Sequence, residues 1–260
     1  MFARDFIRQL AASGRYTFTT ADANAAMGQT LAAVKLALNR LRRKGDIASP
    51  MRGFWVIVPP EYRRLGCLPA EQFIPSLMAH LGIPYYAALL SAAQFHGAAH
   101  HRPQSFQVMV EKPRRPIRCG KVSVTFHVHK HLASVPLQAF NTPRGSIAVS
   151  RPEATAFDLV GYEAQIGGLN AVATVMADLA ETLDPSTLAD LAPQIPLPWV
   201  QRLGYILSRL DDPSLADKLA DYVRDKARAY IPLQSGAGEG EDVRDPTWKL
   251  LVNAELEAEG

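Results

Sequence analysis

The sequence predicts an α+β chain, with an N-terminal winged helix-turn-helix domain followed by a larger mixed domain that has a small β-sheet and a helical C-terminal half. Three observations predict it. Short helical patterns up to residue 44 lead into a hairpin pattern at 46–58. The period then turns strand-like between residues 104 and 150, and from Pro152 onward the pattern is helical almost to the end. With 260 residues and 48% apolar content, the chain can bury a substantial core in one large or two modest domains.

Taken in order, Arg4 to Ser13 sets Phe6, Ile7 and Leu10 on one helical face, and Gly14 ends it. Thr20 is the expected N-cap of a second helix, ADANAAM, closed by Gly28. Thr30 caps a third helix, in which Leu31, Val34, Leu38 and Leu41 make one apolar stripe. With about 100° of turn per residue, the opposite side holds Ala32, Leu36, Asn39 and Arg43, flanked by Lys35 and Arg40. A turn of three or four residues joins the two helices of a helix-turn-helix, and Met27-Gly28-Gln29 fits that length. After Lys44-Gly45, a short strand near Asp46 to Ala48 and a clear one from Phe54 to Val58 are joined by a tip containing Pro50, Arg52 and Gly53.

Pro59-Pro60 and the segment to Pro69 mark an exit, so a boundary is placed near residue 66: residues 1–66 as DNA-binding domain, 67–260 as the α+β domain. The second part opens with helical signals, AEQFIPSLMAHLG and PYYAALLSAAQFHG, the latter with Leu89, Leu90, Ala93 and Phe95 as its apolar face. Tyr85, Tyr86 and Phe157 read as core residues in helical context. QSFQVMVEK, GKVSVTFHVHK and GSIAVS read as strands, with PRRPIRCG and NTPRG as turns. Helices punctuated by proline and glycine follow, then QSGAGEGEDVRDP as a flexible loop and a last segment, TWKLLVNAEL.

The net charge of +3 is bland, but residues 1–66 carry eleven Lys/Arg against four Asp/Glu. Such asymmetry points to an anionic partner, of which nucleic acid is the commonest. A helix in the major groove presents outward side chains to base edges and basic side chains at its margins to phosphates. Gln29, Thr30, Lys35 and Asn39 have donors suited to bases or nearby phosphates, Arg40, Arg42 and Arg43 suit the backbone, and Arg52 sits on the wing. The competing reading is a solvated helix end, where cations favour the dipole. It accounts for Arg42, Arg43 and Lys44, but not for Lys35, Arg52 or the scarcity of acid. A second basic stretch, EKPRRPIRCGK, holds Lys112, Arg114, Arg115, Arg118 and Lys121 in a proline-rich loop; a second DNA-backbone contact and an ordinary soluble hairpin tip are both open there.

Catalytic signals are weak. His127, His129 and His131 alternate on a strand, and His100-His101 precede them, but no metal motif accompanies them, so they read as imidazoles on a sheet edge. Glu111 and Lys112 are adjacent, whereas a nuclease strand separates its acid and lysine by one residue. Phosphate-binding, nucleophile-elbow and dinucleotide patterns are missing, and no cofactor, metal or catalytic residue is expected. Cys67 and Cys119 lack CxxC spacing and read as reduced packing thiols. With no apolar run of eighteen residues and no secretory h-region at MFARDFIRQL, a cytosolic protein without membrane contact is expected. A metal-dependent nuclease guided by the winged helix and a protein-interaction scaffold remain the alternatives.

The text RGFWVIVPPEY, YYAALLSAAQFHGAAHHRPQ, TPRGSIAVSRPEATAFDLVGYEAQIGGLNAVATVMADL and VQRLGYILSRL resembles the AbiEi-type antitoxins of abortive-infection toxin-antitoxin systems. That resemblance implies a transcriptional autorepressor whose winged helix binds inverted repeats in its own promoter, two copies cooperatively. It also implies a C-terminal domain that counteracts a nucleotidyltransferase-like toxin without a stable complex and assists DNA binding through basic surface. By position, Gln29 to Lys44 and Arg52 would inherit DNA contact, and the case for Lys112 to Arg118 is strengthened.

Overall fold

The computed structural model describes residues 1–98, 103–234 and 243–256. His100 and His101, and most of the Gly- and acid-rich loop expected after Gln234, lie outside the described residues. The chain packs into two compact units, one of Met1–Ala87, Pro103–Ser134 and Gln138–Val149, the other of Ala88–Arg102, Val135–Leu137 and Ser150–Gly260. Residue 66 falls inside the first.

The first unit begins with α1 (Ala3–Ala12), β1 (Thr17–Thr19), α2 (Thr20–Met27), α3 (Leu31–Arg43), β2 (Ile47–Met51) and β3 (Phe54–Ile57). The strands form an antiparallel sheet in the order β1-β3-β2, with Phe18 opposite Trp55 and Ala48 opposite Val56. The three helices and the hairpin thus appear in the expected order, with an additional strand, β1, where the sequence shows only the β-prone YTFT. Phe6, Ile7 and Leu10 of α1 meet Val34, Leu38 and Leu41 of α3 and Phe18, Ile47, Trp55 and Ile57 of the sheet in one core, where Phe6 and Phe18 stand edge to face at 5.2 Å.

All four residues of β3 are buried, because the small sheet is covered on both faces. Successive side chains of a strand point to opposite sides. Trp55 and Ile57 face the three helices, while Phe54, Val56 and Val58 join a second core with Phe73, Ile74, Leu77 and Met78 of α4 (Ala70–Leu81) and with strands of a larger sheet. That sheet contains β4 (Tyr86–Ala87), β5 (Phe106–Val110), β6 (Ile117–Cys119), β7 (Val122–Val128), β8 (Leu137–Thr142) and β9 (Gly145–Ser150), in the order β6-β7-β5-β4-β9-β8. It is mixed: β5 runs parallel to β7 and β4 to β9, whereas β4–β5 and β6–β7 are antiparallel.

Three local expectations are corrected. PYYAALLSAAQFHG is not one helix: Tyr86 and Ala87 form a strand between β5 and β9, and a helix starts only at Leu89. PRRPIRCG is not all turn, since Ile117–Cys119 pairs with Val122 to Val124 as β6. Residues 137–142, including the start of NTPRG, form β8. The β6–β7 turn is tied to the chain after the hairpin, where the Lys121 amide donates to the Leu65 carbonyl at 2.8 Å. Gly120 takes a left-handed φ of 58° there, and a Cβ on it would come within 2.3 Å of that same carbonyl oxygen. Only glycine satisfies both demands.

The second unit is helical, as expected: α5 (Leu89–Phe95), α6 (Pro152–Gly161), α7 (Glu163–Ile166), α8 (Leu169–Leu179), α9 (Pro185–Leu191), α10 (Leu197–Leu207) and α11 (Asp217–Lys226). A small sheet of β10 (Ile231–Pro232), β11 (Val243–Asp245) and β12 (Leu250–Val252) closes it, in the order β10-β12-β11. Proline occupies the first turn of α6, α9 and α10, where its missing amide costs no intrahelical bond. The small sheet is locked to α10 by Trp248, whose carbonyl accepts from Gln201 Nε2 at 2.9 Å and whose ring lies against Gly204. No described helix is long and apolar enough to cross a membrane.

Candidate nucleic-acid interface

The α2–α3 pair is built by its caps. Thr19 caps α2, not Thr20 as the sequence suggests: the Asp22 amide donates to Thr19 Oγ1 at 3.0 Å, and the Thr19 amide donates to Asp22 Oδ2 at 2.7 Å. This reciprocal box satisfies two end donors at once. Thr20 is instead the first helical residue, and its hydroxyl accepts from the Trp55 indole at 2.9 Å, tying α2 to β3. Gly28, at φ 61°, ends α2 in the left-handed conformation, and Gly28, Gln29 and Thr30 make the three-residue connection to α3. Thr30 caps α3 as expected, its Oγ1 accepting from the Ala33 amide at 3.3 Å.

Along α3, Val34, Leu38 and Leu41 are buried, but Leu31 is 49% exposed and leaves the expected stripe, because it sits at the open first turn of the helix. Lys35, Arg40, Arg42, Arg43 and Lys44 are exposed, as are Gln29 and Thr30, whereas Asn39 is half-buried. Arg52 is exposed at the two-residue tip between β2 and β3, with Gly53 at φ 84°. Pro50, expected at the tip, lies in β2 and is buried.

Three of the four acids of this segment are engaged elsewhere. Asp22 belongs to the cap of α2, Asp46 accepts from Arg63 at 2.6 Å, and Glu61 lies 3.5 Å from Arg144, whose guanidinium stacks 3.3 Å above the Tyr16 ring. Among the described residues, none of Lys35, Arg40, Arg42, Arg43 and Arg52 forms an ion pair. Exposed cations of this kind, on one helix and one hairpin tip, create a positive field that neighbouring carboxylates do not cancel.

The second basic stretch belongs to the same packed unit, and β6 lies beside β2. Lys112, Arg115, Arg118 and Lys121 are exposed, while Arg114 is half-buried. Arg118 projects outward because the alternation of β6 buries Ile117 and Cys119 on its other face. Cys119 reports how near the two clusters come: the Arg42 charge is among the influences holding its thiol below the ordinary value, after a hydrogen bond with the Cys67 thiol. Both cysteines are reduced and buried, as expected, and that shared hydrogen bond together with burial pushes Cys67 upward. Nothing in the sequence spacing of 67 and 119 signals this contact.

The histidines behave as packing groups. β6 covers β7 only as far as Val124, so His127 stands on a sheet edge, half-buried. Burial pulls His127 and His129 below the ordinary imidazole value, and for His129 the neighbouring His131 adds to the effect. Among the described residues, no three His, Cys, Asp or Glu side chains gather as a metal site would require.

No curated protein matches the chain. The crystal structure of the RV2827C protein from Mycobacterium tuberculosis shares its fold, with a TM-score of 0.67 and 18% identity over 95% of this chain and 90% of that one. Residues 86–209, from β4 to just beyond the end of α10, match the AbiEi antitoxin C-terminal domain. That match supports an AbiEi-type antitoxin and is confined to residues 86–209 of the chain.

Proposed function

We propose that residues 1–66 act as a winged helix-turn-helix domain on double-stranded DNA, and that the chain is a non-enzymatic transcriptional autorepressor as well as an antitoxin. The observation that carries the DNA reading is the set of exposed cations on α3 and the hairpin tip, with the acids nearby already engaged. In this reading α3 enters the major groove, where Gln29, Thr30, Lys35 and Asn39 approach bases or adjacent phosphates. Arg40, Arg42, Arg43 and the wing residue Arg52 hold the backbone. Lys112, Arg114, Arg115 and Arg118 extend the same positive surface and strengthen binding without reading sequence. The targets are inverted repeats in the chain's own promoter, occupied by two copies cooperatively. The antitoxin activity lies in residues 67–260 and counteracts a nucleotidyltransferase-like toxin without a stable complex. The setting is the cytoplasm, and no cofactor is involved.

The test has two arms. Purified protein is titrated with its upstream promoter fragment and with a scrambled duplex of equal length; clear preference for the promoter supports the reading, and equal affinity sinks it. The chain is also co-expressed with the nucleotidyltransferase-like product of an adjacent gene. Restored growth supports the antitoxin role, and undiminished toxicity contradicts it. Reproducible cleavage of the DNA with Mg²⁺ or Mn²⁺ in the first arm would replace the non-enzymatic reading by the nuclease one.

A further inference from the structure

The outward face of α3 has two halves of different chemistry. Taking Leu38, fully buried, as the inward mark, a turn of about 100° per residue places Leu36 and Arg40 about 160° away on either side of the helix. Ala33 and Arg43 then lie about 140° away and Ala32 about 120°, whereas Lys35 and Arg42 lie only about 40–60° from the inward mark. On the outward side Leu36 is 54% exposed and Ala32 and Ala33 are exposed, while Asn39 is half-buried. The first two turns of the face are therefore apolar and its last turns basic.

A lone exposed leucine is ordinary on a protein surface. Here it sits outermost on the helix that also presents Arg40, Arg43 and Lys44, so the same face is complementary to a polyanion. Residues in the N-terminal half of a recognition helix meet base edges, and the apolar group among the major-groove edges of the four bases is the thymine 5-methyl. We propose that Leu36, flanked by Ala32 and Ala33, packs against thymine methyl groups and so determines sequence specificity, selecting A·T over G·C where it touches. This rests on the DNA reading above. It shifts base reading away from Asn39, whose side chain is partly covered, toward a residue without any hydrogen-bonding group.

The experiment compares the upstream fragment with the same fragment carrying uracil in place of every thymine, which removes the methyl and keeps every base-pair hydrogen bond. Both are measured with the full-length chain and with Leu36→Ala, against a scrambled duplex. The wild-type chain should lose about four-fold in affinity for each methyl it contacts. Leu36→Ala should bind the thymine fragment as weakly as the wild type binds the uracil one, should be indifferent to uracil, and should melt like the wild type. If the wild type prefers its promoter but ignores the methyls, or if Leu36→Ala remains sensitive to them, the role of Leu36 is overturned while DNA reading stands. A change in oligomeric state for Leu36→Ala would assign this face to a second copy of the chain and overturn it too. With no preference over the scrambled duplex, both inferences fall together.

Discussion

Doubling the salt concentration should weaken promoter binding by at least about twenty-fold, and that lower bound follows from the exposed cations of α3 and the hairpin tip alone. Each phosphate neutralised on duplex DNA contributes about −0.9 to the slope of log K against log salt. Lys35, Arg40, Arg42, Arg43 and Arg52, all exposed and none ion-paired among the described residues, give a slope of about −4.5 if each meets one phosphate. The informative perturbation is Arg40→Gln with Arg43→Gln. Both lie on the outward face of α3, so removing them disturbs no core residue and deletes about two phosphate contacts. The slope should become shallower by about 1.8, so that the same doubling costs about three- to four-fold less than in the wild type. Fluorescence anisotropy of a labelled promoter duplex at four or five salt concentrations measures both values. A wild-type slope near zero, or an unchanged slope in the double variant, would refute the assignment of these side chains to the DNA backbone.

Other perturbations act on separate parts of the molecule. Replacing Arg115 and Arg118 should weaken binding to promoter and scrambled duplex by the same factor, and equal affinities before and after would leave that loop an ordinary hairpin tip. Gly204→Ala would drive a methyl group to within 1.9 Å of the Trp248 ring, itself buried against α10. Such overpacking costs about 1–3 kcal/mol, and calorimetry should show a lower thermal midpoint; an unchanged midpoint would mean that the ring swings aside freely. Burial holds the imidazoles of His127 and His129 below their ordinary value, so as pH falls below about 6.5 the unfolded chain takes up their protons first. Their contribution is fully present above that pH and is lost as pH falls toward their folded values. The midpoint should therefore drop between about pH 7 and 5. His127→Gln with His129→Gln should flatten that dependence, and a midpoint that rises on acidification would contradict it.

How much of this was legible in the sequence depended on which physical signal each residue carried. The helices of the first 44 residues were legible because Phe6, Ile7, Leu10, Val34, Leu38 and Leu41 keep a helical period and Gly28 marks the turn between α2 and α3. Capping was read one residue late, since Thr19 and Thr20 are chemically equivalent as caps and only the Trp55 indole, distant in sequence, claims the second. The sheet of the mixed region was half legible. β5, β7 and β9 carry enough β-branched residues to declare themselves, but β4 is two residues long and its identity comes from the strands on either side. The unbroken apolar run FWVIV did carry a further signal. A strand with one wet face alternates, and this one does not, because α4 and the larger sheet cover the side away from the helices. The outward face of α3 could be phased from the sequence, yet the weight of Leu36 was not apparent until the half-burial of Asn39 and the exposure of Leu36 could be compared.

Whether α3 and its hairpin read the promoter of this chain's own gene is decided by a hydroxyl-radical footprint across the upstream region. Two protected half-sites of an inverted repeat are expected, filled together as protein is added, with protection lost when Arg40 and Arg43 are replaced. Uniform protection without half-sites, or a footprint that survives the loss of those arginines unchanged, would contradict that reading.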